Sequence, residues 1–94
     1  MDALVRTHRD AILRIAEAHG IRTIRVFGSR GRGKATPGSD LDLLVEPGSP
    51  LPFFFPGGLV ADLEDLLGCR VDVVTPDGLY PGIRESVMRE ARAL

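Results

Sequence analysis

The sequence predicts an α+β fold: a small mixed β-sheet with helices packed mainly on one face. Three observations carry this. Apolar residues recur with a period close to two over IRTIRVF, DLDLLVE and RVDVVT, the pattern of half-buried strands. Helical spacing governs Met1–Gly20, LVADLEDLL and the closing IRESVMREARAL. The helical stretch between the second and third strands has the length of a βαβ crossover, which joins parallel strands and is expected to be right-handed. At 94 residues the chain is expected to form a single domain, 1–94.

Taken in order, the first element is an amphipathic helix over Met1–Gly20. Leu4, Ala11, Ile12 and Ile15 make its apolar stripe, Asp2 caps it and Gly20 ends it. Both histidines, His8 and His19, fall on this helix with no carboxylate or cysteine at ligand spacing, so they read as surface or boundary positions. IRTIRVFGS is a strand running into Gly28, and Ser29 opens a helix that Gly31, Gly33 and Gly38 limit to a turn or two. TPGS turns the chain into the second strand, DLDLLVE. Pro47–Gly58 holds four prolines and three glycines, so no regular element survives there except at its end. A helix follows, with Leu59, Leu63, Leu66 and Leu67 inward and Gly68 as C-cap. RVDVVT is the third strand. The last helix is expected to run to the end of the sequence, with Ile83, Val87, Ala91 and Leu94 on its apolar face.

Bulk composition narrows the function classes. The formal net charge is −1, with eight basic and six acidic residues up to position 47 and four and seven beyond it. That balance argues against bulk electrostatic binding of nucleic acid, which needs a broad basic surface. A single cysteine, Cys69, leaves no internal disulfide and no thiolate zinc cluster. No apolar run reaches transmembrane length and no signal pattern opens the chain, so no membrane association is expected and the cytoplasm is the expected location.

The chemistry concentrates between Gly28 and Glu46. Asp40 and Asp42 share one strand face, because side chains two apart point the same way. Asp72 interrupts the apolar third strand. A carboxylate within a strand is costly unless it is exposed, paired or bound to a cation. If the two strands are neighbours in register, the three carboxylates converge, and like charges so close repel. Mg²⁺, which takes hard oxygen ligands together with ligand phosphates and water, would relieve the repulsion. Upstream, Gly28 lets the backbone approach an anion, Ser29 adds a donor, and Arg30, Arg32 and Lys34 supply positive charge. Of the three, Arg30 is the strongest candidate for phosphate contact. The segment is neither a P-loop nor a dinucleotide fingerprint, since GSRGRG has neither spacing, and no histidine lies near to activate Ser29.

A Gly-Ser, ten residues, then Asp-x-Asp on a strand, with a further Asp on a later strand, resembles the signature of the DNA polymerase β-like nucleotidyltransferase superfamily. Here it is Gly28, Ser29, Asp40, Asp42 and Asp72. The likeness is greatest to the minimal nucleotidyltransferases (MNT or MntA-type antitoxins) and covers nearly the whole chain. It implies the polymerase β-like fold, with Gly28 and Ser29, assisted by Arg30, holding the phosphates of ATP. It implies that Asp40, Asp42 and Asp72 bind two Mg²⁺ ions and are the catalytic residues. It also implies a partner, a helical HEPN-domain toxin whose tyrosine receives AMP. Two alternatives stay open: an inactive antitoxin that neutralises by binding alone, and transfer to a small molecule or an RNA end. Phe53, Phe54 and Phe55 cannot all enter one small core. Either Phe53 and Phe55 close the core while Phe54 faces out, or the segment forms part of an interface holding the partner over the cleft.

Overall fold

A computed structural model describes residues 1–94. Helices α1 (Ala3–Thr7) and α2 (Arg9–Ala18) precede strand β1 (Ile21–Phe27), the five-residue helix α3 (Gly28–Arg32) and strand β2 (Leu41–Pro47). Helix α4 (Gly57–Leu67), strand β3 (Val71–Val74), a 3-10 turn (Pro76–Gly78), helix α5 (Pro81–Glu90) and a short strand β4 (Arg92–Ala93) complete the chain. The sheet order is β3-β2-β1-β4. β2 pairs antiparallel with β1 and parallel with β3, so the sheet is mixed, and α4 is the crossover between the parallel pair.

Period two along the strands divides the sheet into two unlike faces. Leu41, Leu43 and Val45 of β2, with Ile24 and Val26 of β1, point to one side and are buried beneath α1, α2 and α4. Leu59, Leu63 and Leu67 of α4 recur at helical spacing and fill that core, each contributing about 1.5–3 kcal/mol of burial. Gly68, at φ 69°, ends α4 in the left-handed conformation that a side chain resists. The other face is shared. A small second cluster of Leu44, Leu79, Val87 and Ala91 packs there under α5, and the carboxylates occupy the rest. Helices therefore lie mainly on one face, with α5 the exception.

Three expectations need correction. The N-terminal helix is two helices broken at His8, whose ψ of 12° departs from helical geometry while its ring bonds to the Leu4 carbonyl, 2.9 Å away. Val5 and Ala16 are buried, whereas Ile15 is only half-buried. The last helix stops at Glu90. Arg92 and Ala93 leave it to pair antiparallel with Val26 and Arg25, because the outer edge of β1 offers unpaired backbone groups that a further helical turn would leave unmet. Ile83, placed inward by periodicity, is 49% exposed.

The aromatic segment also differs from the sequence reading. Phe55 packs against the main core, but Phe53 and Phe54 are both exposed and meet edge to face at 4.4 Å. Gly48 donates its N–H to the Gly20 carbonyl, fixing this segment where β1 begins. The carboxylates lie where β1 ends, roughly 20 Å away at ~3.3 Å per residue. The segment therefore does not cover them.

Candidate active site

The site forms where β1 gives way to α3. Gly28 has φ 73°, so the chain turns there in a conformation that excludes most side chains. Its backbone lies against the side chain of Asp42, and a Cβ at position 28 would overlap the Asp42 carboxylate. Register explains the approach: Phe27 faces Asp42 across the antiparallel pair, and Asp42 faces Asp72 across the parallel pair. The row Phe27, Asp42, Asp72 crosses three strands on the face away from the main core.

Asp42 is half-buried in that row, and its carboxyl is pushed above the ordinary value. Burial is the main cause, followed by the charges of Asp72 and Asp40. Arg32 works in the opposite direction, and Glu90 adds to the rise. Asp72, on the edge strand β3, is exposed, and Asp40 is half-buried just before β2. The convergence expected from the sequence is partial: Asp42 feels the charges of both Asp40 and Asp72, but no three carboxylates close into a cluster that would hold a metal. Like charges favour separation. The donor set is all hard carboxylate oxygen and carries more negative charge than Arg32 offsets, which is the chemistry a Mg²⁺ ion suits.

Ser29 follows Gly28 in the first turn of α3 and is half-buried. Arg30 departs from the expectation of a phosphate contact. It is 4% exposed; its Nη1 donates to Asp2 at 2.8 Å, while its Nε and Nη2 donate to the Ser39 carbonyl at 3.1 and 2.8 Å. The Asp2 N–H returns a bond to the Arg30 carbonyl at 2.8 Å. Arg30 thus ties the N-terminus and the 33–40 loop to α3, with its donors turned inward. Position 30 lies nearly half a helical turn away from the face that Gly28 presents to Asp42.

Sequence reading missed Glu90. It lies in the last turn of α5 and pairs with Arg32 across 58 positions. A signal was present: a carboxylate in the last turn opposes the helix dipole and calls for a compensating cation. The site as a whole lies on an open face. A cavity of about 510 Å³ opens elsewhere, at the start of β1, lined by Arg22, Glu46, Phe55 and Thr75 among others.

Comparison with known proteins places this arrangement among relatives. The nucleotidyltransferase domain family matches residues 5–94. The protein adenylyltransferase MntA of Thermococcus cleftensis is 40% identical over 93 residues, covering 96% of this chain and 88% of that protein. A solved structure, provisionally described as a minimal nucleotidyltransferase, is 46% identical with a TM-score of 0.85, over 100% of this chain and 97% of that one. A toxin–antitoxin complex crystallised with AMP-PNP shares the fold at a TM-score of 0.75 and 21% identity, over 89% of this chain and 69% of that one.

Proposed function

The chain belongs to the nucleotidyltransferase domain family, and on that premise we propose that it transfers AMP from ATP to a tyrosine hydroxyl of a HEPN-type toxin, acting as that toxin's antitoxin. The single observation that supports the chemistry is the contact of Gly28 with Asp42, which sets the backbone of the Gly28–Ser29 turn directly beside a carboxylate. The choice of a protein acceptor is supported by the 40% identity to a protein adenylyltransferase along nearly the full chain. It is supported also by the fold shared with a toxin–antitoxin complex. The open face fits this choice, because a partner seated over the carboxylates would exclude water from the reaction.

Gly28 and Ser29 hold the β and γ phosphates through backbone N–H groups and the Ser29 hydroxyl. Asp40, Asp42 and Asp72 are the residues that would hold Mg²⁺. When bound, Mg²⁺ neutralises charge developing on the transferring phosphoryl group. The tyrosine oxygen attacks the α-phosphorus, the bond to the bridging oxygen of pyrophosphate breaks, and Asp72, exposed on its edge strand, takes the hydroxyl proton. Desolvation and like charge disfavour the ionised form of Asp42, and a bound cation would offset both.

The test is incubation with a HEPN-type partner, ATP and Mg²⁺, followed by intact-mass measurement. The partner should gain the mass of one or more AMP groups, and Asp42→Asn should reduce the rate by at least about 100-fold. A partner left unmodified by the wild-type protein, yet still neutralised, would replace this reading with inhibition by binding alone.

A further inference from the structure

The sheet has two edge strands of unequal length. β4 is two residues long, whereas β3 has four and carries Asp72. β3 pairs only with β2, and parallel pairing turns alternate residues toward the neighbour. Leu41 donates its N–H to the Arg70 carbonyl at 2.8 Å, so Arg70, Asp72 and Val74 direct their backbone groups to β2, while Val71 and Val73 direct theirs outward. The outward N–H of Val71 is met within the chain by a Glu64 carboxylate oxygen at 2.9 Å. The N–H and C=O of Val73 have no such partner. Side chains follow the same period. Val71 and Val73 pack on the main core, and Asp72 stands exposed on the carboxylate face. Other approaches to Asp72 are restricted. α3 closes the β1 end of the row Phe27, Asp42, Asp72, with Gly28 against Asp42. Further along the same face, Val74 packs against the cluster of Leu44, Leu79, Val87 and Ala91 beneath α5. A macromolecular acceptor therefore reaches Asp72 most directly across the outer edge of β3.

We propose that this edge is the acceptor subsite: an extended segment of the protein partner pairs with Val73 as a fifth strand and sets its tyrosine beside Asp72. The proposal rests on the adenylyl-transfer reading and adds how the acceptor is held. An added strand lies about 4.7–4.9 Å from β3, and its residue beside Asp72 projects to the same face as Asp72. A tyrosine there stands its ring along the Asp72 side chain, with the hydroxyl at the carboxylate row. Its two neighbours in the segment fall beside Val71 and Val73 and extend the apolar face, so they should be uncharged. Main-chain bonds hold the segment whatever its sequence, and position selects the tyrosine. A second copy of this chain suits the edge poorly. Antiparallel pairing centred on Val73 would bring two Asp72 carboxylates into diagonal contact, about 7–8 Å between backbones, adding like charge to a face that already carries an excess of it.

Amide hydrogen exchange tests this on the wild-type protein without relying on turnover. In the complex with a HEPN-type toxin, formed without ATP, the Val73 N–H should exchange at least about tenfold more slowly than in the free protein. Val73→Pro removes that N–H without breaking a bond of the ladder, a change that an edge strand tolerates. The variant should melt within a few degrees of wild type and bind Mg²⁺–ATP within about twofold in calorimetric titration. Its kcat/KM for AMP transfer to the toxin should fall about fivefold or more, as loss of a main-chain bond to the acceptor implies. Val73→Thr, which keeps both the N–H and the branched shape, should retain most of the transfer. Unchanged exchange at Val73 in the complex, or full transfer by Val73→Pro, would overturn the proposal and leave the adenylyl-transfer function standing. Protection of Val73 in the protein alone that disappears on dilution would assign the edge to a second copy and overturn it as well. A wild-type protein that leaves the toxin unmodified would take down the function, and the acceptor subsite with it.

Discussion

The two ends of the sheet are built on opposite principles. Where β1 ends, charge is concentrated: Asp40, Asp72 and Glu90 all act on Asp42, which lies against Gly28, with Arg32 alone as counter-charge. Where β1 begins, apolar surface is left in water. Leu51 is 65% exposed, Phe53 84% and Phe54 77%, and Phe54 holds a φ of 58°, which few side chains accept. At the charged end, polar groups are placed at the expense of their own electrostatics. At the aromatic end, burial and backbone comfort are given up instead. Each departs from what stability alone would select, and the core between them, from Val5 to Val71, makes both tolerable.

The largest effect should come from the anchor beneath the charged end. Arg30→Ala leaves Asp2 and the Ser39 carbonyl without their buried partner and should cost about 3–5 kcal/mol, read as a fall of more than about 10 °C in melting temperature. Arg32→Ala should cost no more than about 1 kcal/mol. Equal losses would erase the distinction between the two arginines.

Gly28→Val comes next. A side chain there meets the Asp42 carboxylate and must adopt a positive φ, so stability should fall by at least about 1–2 kcal/mol. AMP transfer should fall about 100-fold or more, since displacing Asp42 misplaces the reacting groups. A valine variant with full transfer would separate Gly28 from the chemistry.

Asp42→Asn should act in opposite directions on activity and stability. The carboxyl of Asp42 is raised in the folded protein, so its contribution to stability is present below its unfolded value near 3.8 and is lost as pH rises through the higher folded value. In metal-free protein at pH 7 the asparagine variant should therefore melt slightly above wild type, and below pH 3.8 the two should converge. Added Mg²⁺ should raise the melting temperature of wild type more than that of the variant. A variant that melts below metal-free wild type at pH 7 would contradict the electrostatic crowding.

The smallest effect is expected at the far end. Phe54→Ser removes an exposed ring from the segment tied to the opposite end of β1 and should leave ATP affinity within about twofold and the melting temperature within a few degrees. A loss of nucleotide affinity would show that the two ends are coupled and that the comparison is too sharp.

Much of this was legible in the sequence because local pattern reports local geometry. Period two placed Leu41, Leu43 and Val45 on one face and Asp42 on the other; helical spacing placed Leu59, Leu63 and Leu67 inward; Gly68 marked a helix end. The Gly-Ser to Asp-x-Asp spacing pointed to Gly28 and Asp42, which the fold brings into contact. What lay beyond the sequence depends on partners distant along the chain. Arg30 and Arg32 stand two residues apart in the same basic run, and only the docking of α3 against β2 and the N-terminus turned one inward to Asp2 and left the other with Glu90. Arg92 and Ala93 follow the helical pattern of α5, yet the unpaired edge of β1 drew them into the sheet. Phe53–Phe55 could be recognised as anomalous, but their distance from the carboxylates was set by the bond between Gly48 and Gly20. Periodicity fixes which face a side chain takes within an element. Strand register and helix docking, which join residues tens of positions apart, decide what that face meets.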